Sequence, residues 1–293
     1  MPPAPRGTAK AAAKAAVKKP APKKATPRKA RKRRKPDPIK AWVTRLDRTR
    51  PGIVPYVLDG LATLYGHPAW QRRLDPTSEL ILTILTQSTA DVNAEHAFEA
   101  LRLAYPSTGP VEHHVPGPGW GGAGLPDGRA PDWFAVELAP YDELVEVIRP
   151  GGLPFAKAKS IQATLRTIRE QRGDHSLEFL GDLPAAEARD WLTKIPGIGK
   201  KTASVLLLFS FGMPLMPVDR HVERVSRRIG LLPRETAHTD PHDVFLAMLQ
   251  PDQVYEAHVN LIRHGRLVCE ALRPKHELCP VRERCRFVDP KAP

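Results

Sequence analysis

Beyond residue 37, apolar residues recur at intervals of three and four, the period of a helix with one buried face. The spacing predicts helices over 79–87, 91–103, 158–170, 186–195, 200–211, 222–231, 242–249 and 253–269. Start and stop signals agree with it. Asp75-Pro76-Thr77 opens the first of these, and Gly173, Gly212 and Gly230 close others. No segment alternates with the period of a strand, so the chain reads as all-α. The longest apolar stretch, Val205 to Val218, is interrupted by Gly212, Pro214 and Pro217. It reads as a buried helix and a turn, not a membrane span. Residues 106–131 break the pattern with Pro116-Gly117-Pro118-Gly119-Trp120-Gly121-Gly122, the composition of a long inserted loop. Trp120 within it suits stacking on a base or simple local packing.

Charge changes the picture at the N-terminus. The formal net charge is +13, from 45 Lys and Arg against 32 Asp and Glu. Residues 1–36 hold 14 of the basic residues and no acid, leaving 31 basic residues to face all 32 acidic ones in the body. Such a Lys/Ala/Pro segment cannot bury a core and is expected to be disordered. It suits a salt-dependent arm on nucleic acid, or else a solubilising or import segment. It carries no apolar stretch of the signal-peptide kind, so a cytoplasmic protein is expected.

The densest chemistry lies in Leu192-Thr193-Lys194-Ile195-Pro196-Gly197-Ile198-Gly199-Lys200-Lys201-Thr202-Ala203. One helix ends near Ile195 and another begins at Lys200. Gly197 and Gly199 permit a tight turn and a close ligand. The first-turn N–H groups of the new helix then face outward at its positive end, an anion site suited to a DNA phosphate. Ile198 packs inward. A nucleotide P-loop is excluded, because Lys201 follows Lys200 where Ser or Thr is needed and no glycine stands five residues before Gly199.

Lys201 reads as a phosphate grip or as a nucleophile. Nucleophilic attack needs a neutral amine. The helix N-terminus, the adjacent Lys200 ammonium and partial burial would each favour one. Asp219, in Pro217-Val218-Asp219-Arg220-His221-Val222, stands at the mouth of the next helix. There it serves as an N-cap and keeps an ionised carboxylate able to stabilise positive charge on a sugar. The three cysteines all fall near the end, spaced Cys269-x6-His276-x2-Cys279-x5-Cys285. An odd number makes a poor disulfide framework, and three Cys with one His suit structural zinc or an iron–sulfur cluster.

Together, Pro-Gly-Ile-Gly-Lys-Lys-Thr-Ala and Val-Asp-Arg-His-Val, 18 residues after Lys201, resemble the helix-hairpin-helix DNA glycosylases, most closely their endonuclease III branch. The likeness runs from about Leu74 to Cys285. It implies two helical lobes, about 74–185 and 38–70 plus 186–293, with DNA crossing between them as a damaged duplex bound by a monomer. It makes Lys201 the nucleophile that forms a Schiff base at C1′, and Asp219 its carboxylate partner. That is the chemistry of a bifunctional glycosylase and lyase acting on oxidised pyrimidines.

The resemblance further implies a 4Fe–4S cluster on Cys269, His276, Cys279 and Cys285, with zinc the less favoured occupant. DNA contacts would come from Gly197, Gly199, Lys200, His221, Arg273 and Lys275. Leu153 would be an apolar wedge. Gln87, or Ser88 by ungapped matching, would fill the gap left by the extruded nucleotide. The chain departs from the pattern at His276, at Arg220 (often Thr in that branch), in the loop 106–131 and in the tail. A monofunctional glycosylase for mispaired or alkylated bases, and a non-catalytic DNA-binding protein, are the competing readings.

Overall fold

The computed structural model describes residues 37–108, 129–233 and 239–293; the basic tail and most of the inserted loop, Trp120 included, lie outside the described residues. The chain opens with α1 (Pro38–Thr49) and α2 (Ile53–Tyr65), followed by α3 (Pro76–Leu85) and α4 (Asp91–Ala104). Next come α5 (Trp133–Leu138), α6 (Tyr141–Val147) and α7 (Pro154–Arg172). The hairpin pair α8 (Ala185–Leu192) and α9 (Lys200–Phe211) leads to α10 (Arg220–Ile229), α11 (Pro241–Met248) and α12 (Val254–Leu267). Among the described residues the single β-type pairing is an isolated bridge between Pro106 and Pro131. With the Asp132 N–H donating to the Tyr105 carbonyl at 2.8 Å, it closes the stem of the inserted loop.

Three helices begin the same way. Asp37-Pro38, Asp75-Pro76 and Asp240-Pro241 each place a carboxylate at the N-cap and a proline at the first helical position. The proline loses nothing there, because that N–H has no intrahelical acceptor. The expected closures at Gly173, Gly212 and Gly230 are left-handed C-caps. α7 starts at Pro154, four residues before the predicted start, for the same N1 reason. α5 and α6, six and seven residues long, are too short to display a period and were not predicted.

Two apolar cores organise these helices. The first joins Leu80, Ile84, Phe98, Leu101, Val136, Leu144, Ile161 and Leu165. The second joins Leu46, Ile53, Leu61, Val222, Val225, Phe245, Val254 and Leu261. α9 belongs to both. Its Ala203, Leu206 and Leu207 face the first core, while Val205, Leu208 and Phe209 face the second. From Thr202 to Ser210 every residue is buried, which is why this helix lacks a polar stripe. Ala188, Leu192, Ile195 and Ile198 also pack into the first core. The change of core thus falls within α9, not near residue 185, because α8 has its apolar face toward the central helices.

Polar groups buried near α9 are paired. Arg73 grips the fully buried Glu79 through Nε at 2.7 Å and Nη2 at 2.6 Å. Arg50, also fully buried, donates to the carbonyls of Ile229 at 2.7 Å, Arg284 and Pro293, tying the first helices to the C-terminus. Among the described residues no helix is long and apolar enough to cross a membrane.

Candidate active site and cysteine loop

α8 ends at Leu192 and a tight turn follows, in which the Ile195 N–H donates to the Leu192 carbonyl and the Ile198 N–H to the Ile195 carbonyl, both at 3.0 Å. Ile198 is buried and pins the hairpin to the first core. Gly197 takes φ +87°, where an L side chain is strained. Gly199 differs. Its φ of −89° is ordinary, and nothing among the described residues lies within 4 Å of where a Cβ would stand. The fold itself does not require glycine at 199, but a ligand approaching the N-terminus of α9 would.

Lys200 and Lys201 divide their roles. Lys200 is turned to α11, 2.5 Å from Asp240 and 3.5 Å from Asp243. The hydrogen bond it donates to Asp240 holds its pKa above the ordinary lysine value. Lys201 is half-buried. Burial pushes its ammonium below the usual lysine range, opposed by the nearby charges of Asp219, Asp91 and Glu79 and aided by Arg266. The assisting cation expected at Lys200 is therefore Arg266, since Lys200 is already neutralised by its own ion pairs.

Asp219 caps α10 as expected, accepting from the His221 and Val222 N–H groups at 2.8 Å each. His221 sits beside it with Nδ1 3.2 Å from Arg224. Arg220 is exposed. Across the mouth, Arg266 near the end of α12 pairs at 2.7 Å with Asp91 at the start of α4, joining helices from opposite cores. A Cβ at the neighbouring Gly265 would lie 2.8 Å from the His221 Cβ, so α10 and α12 meet there only through glycine.

Sequence reading missed His258. It is buried on α12, its Nδ1 lies 3.0 Å from the Pro217 carbonyl, and its ring meets Phe209 edge-on at 5.7 Å. A carbonyl partner fixes the Nδ1–H tautomer and leaves Nε2 as a bare acceptor, buried and without a hydrogen-bond partner. Burial, with Lys201 and Arg266 aiding and Asp219 opposing, pushes this imidazole down to about 4. A lone histidine in an apolar helix gave no sequence signal of that surrounding.

The two proposed DNA-distorting segments share a property. Ser88, with φ +55°, and Leu153, with φ +49°, are the only non-glycine residues of positive φ among the described residues. Gln87 beside Ser88 is exposed, and Leu153 is 59 % exposed although apolar. Strain of about 1–3 kcal/mol at each such residue is held by the surrounding fold.

The cysteine loop gathers behind α10 and α12. Arg228 donates to Cys269 Sγ at 3.4 Å, and Cys285 Sγ approaches the Arg228 carbonyl at 3.5 Å. Cys279 Sγ lies 3.5 Å from Nε2 of the buried His264, whose Nδ1 is 3.3 Å from the Tyr65 hydroxyl. Burial pushes the Cys279 thiol up to about 11, with Cys285 and Cys269 adding to it. His276 carries a buried Nε2 without a hydrogen-bond partner. Three thiols and one orphaned imidazole nitrogen supply four donors, with an imidazole where a 4Fe–4S cluster ordinarily has a fourth thiolate. Among the described residues no three His, Cys, Asp or Glu side chains converge on a single-ion position. A tetrahedral zinc needs its donors within about 2.0–2.3 Å of one point. Arg273 is exposed, while Lys275 is engaged by Glu270 at 2.7 Å.

A helix-hairpin-helix lies between two helical cores, with a half-buried lysine at the start of its second helix under the charge of a capping aspartate, and the fold is that of a DNA repair glycosylase. Known proteins agree. Residues 81–243 match the model of the HhH-GPD superfamily of base excision DNA repair proteins. Endonuclease III of Bacillus subtilis is 35% identical over 158 residues, covering 54% of this chain and 67% of that protein. Endonuclease III of Sulfolobus acidocaldarius is 28% identical over 208 residues, 71% of this chain and 80% of that one. The structure of a trapped endonuclease III–DNA covalent intermediate superposes with a TM-score of 0.63 at 25% identity, covering 81% of this chain and 96% of that one. The chain belongs to the HhH-GPD superfamily, on its endonuclease III-like branch, and is a DNA glycosylase of base excision repair.

The buried His258 sets a pH dependence. Its folded pKa of about 4 lies below the ordinary 6.5, so on acidification the unfolded chain takes up this proton first. Stability present above pH 6.5 is therefore expected to fall as pH drops from 6.5 toward 4. His258→Asn, whose amide still donates to the Pro217 carbonyl, is expected to flatten that fall. Urea midpoints at a series of pH values check it; parallel wild-type and variant curves would contradict it.

Proposed function

We propose that the protein is a bifunctional DNA glycosylase and abasic-site lyase that removes oxidised pyrimidines from duplex DNA as a monomer. The observation that carries the reading is Lys201, a desolvated lysine at the N-terminus of α9 within the field of Asp219. Desolvation supplies a share of neutral amine, which attack on carbon requires. Nζ attacks C1′ of the extruded nucleotide, the N–C1′ bond forms, and the bond to the base breaks. The base leaves with a proton. Asp219 stabilises the positive charge that develops on the sugar. The amine then loses its remaining proton to solvent as the C1′–O4′ bond breaks and O4′ takes up a proton, giving a ring-opened Schiff base; this acidifies C2′, and loss of the C2′ proton expels the 3′ phosphate. The similar endonuclease III structure is of a trapped covalent intermediate with DNA, the kind of adduct a lysine nucleophile forms.

Around this chemistry, the first-turn amides of α9 behind Gly197 and Gly199 receive a phosphate, as the open space at Gly199 supports. Leu153 enters the stack as a wedge, and Gln87 or Ser88 fills the vacated position. His221 and Arg273 are the remaining groups offered to DNA. Lys200 and Lys275 reach it only by leaving their acidic partners. The basic tail acts as a counterion-releasing arm. Cys269, Cys279, Cys285 and His276 would hold a 4Fe–4S cluster, the His276 Nε2 without a partner supporting its place as the fourth donor. Such a cluster supplies a structural anchor and a redox-active centre, and imidazole in place of thiolate raises its potential.

Two measurements test this. On a thymine-glycol duplex, wild type is expected to release the base and cut the strand. Lys201→Ala should lose about a thousandfold or more, and Asp219→Asn, which keeps a cap acceptor, should lose activity with little change in stability. Strand cleavage by Lys201→Ala overturns the choice of nucleophile, and base release without cleavage by wild type overturns the lyase assignment. Metal analysis of anaerobically purified protein is expected to give iron and sulfide in equal amounts, reduced in His276→Ala. Zinc without iron overturns the cluster.

A further inference from the structure

Lys157 takes no part in the chemistry above, yet it is 4 % exposed. It stands in the first turn of α7, where the positive helix end disfavours a cation. Its Nζ donates to the Leu85 carbonyl at 2.6 Å and the Gly151 carbonyl at 2.7 Å. Leu85 is the last residue of α3, so its carbonyl has lost its own helical donor. Gly151 closes the short turn Arg149–Gly151. Among the described residues Lys157 has no acidic partner; a buried ammonium is being spent on two carbonyls alone.

Those carbonyls lie at the roots of the two strained segments. After Leu85 come Thr86, Gln87 and Ser88, and after Gly151 come Gly152 and Leu153. The segments abut, because a Cβ on Gly152 would meet Thr89 Oγ1 at 3.4 Å. The Lys157 N–H also donates to the Leu153 carbonyl at 3.1 Å, so one residue grips the wedge from both backbone and side chain.

We propose that Lys157 is a positioning residue that locks the wedge Leu153 and the Gln87–Ser88 segment at a fixed separation, so that both enter the base stack as one rigid unit. The ammonium makes the locking directional: removing it leaves two buried carbonyls unsatisfied, and each segment relaxes from positive φ independently. The inference rests on the roles proposed for those two segments. Its consequence is specific to base extrusion. A stacked, paired lesion must be pulled out against a few kcal/mol of unstacking, whereas an abasic site has no base to extract.

The test compares wild type with Lys157→Met, which keeps the apolar stem, and Lys157→Arg, which keeps donors for the carbonyls. Amide exchange without DNA is expected to speed up in Lys157→Met at 86–89 and 151–153, with α7 and α9 beyond their first turns unchanged. Single-turnover excision of thymine glycol is expected to fall about tenfold or more, while borohydride trapping on a preformed abasic site stays within about threefold. Lys157→Arg should recover part of both. Equal losses on both substrates, or unchanged exchange at the two segments, overturns the proposal. If wild type neither excises nor traps, the proposed function fails instead, and the exchange data still decide whether Lys157 holds the two segments.

Discussion

Everything in this fold depends on the burial of α9 from all sides. A helix whose residues 202–210 are all enclosed cannot slide or rotate without opening two cores at once. Its N-terminus is thereby firmly placed. That is where the Gly197–Gly199 hairpin and Lys201 sit. A nucleophile must be held within a fraction of an ångström of its productive position, and a central helix does this better than a loop. Lys201, just before the enclosed run, is half-buried, and that burial lowers its pKa, so one packing arrangement fixes both its position and its protonation.

Charge finishes what packing begins. Asp219 would restore the lysine proton if it stood alone; Arg266 and burial oppose it, and Asp91 holds Arg266 in place across the mouth. Lys200, next in sequence to the proposed nucleophile, is withdrawn from this balance by Asp240 and Asp243. His258, its imidazole held low by burial, lies within the reach of both charges, its buried Nε2 without a hydrogen-bond partner among the described residues. The opposite device operates at the proposed DNA-distorting segments, where strained backbone at Ser88 and Leu153 is exposed and its roots are buried.

The helices of the body and the hairpin between them could be read in the sequence, because both leave local marks: a period, a capping aspartate before proline, two glycines two apart. What escaped reading depends on contacts between distant segments. α5 and α6 are too short to show a period. The change of core inside α9 leaves no mark in a uniformly apolar helix. That Lys200 answers to α11 and Lys201 to α10 and α12 is decided by which side of one helical turn each faces. Lys157 and His258 are ordinary in sequence and special only in place, since a buried cation and an orphaned imidazole are defined by what surrounds them. The cysteine spacing was legible, but His264 beside Cys279 was not, for it arrives from α12.

The central claim is that Lys201 Nζ bonds to the sugar. The most direct measurement is borohydride reduction of the wild-type complex on an abasic duplex, proteolysis, and mass-spectrometric location of the deoxyribose-bearing residue. The account predicts that the added mass lies on Lys201. An adduct on Lys200, on Lys157 or on the amino terminus would contradict it.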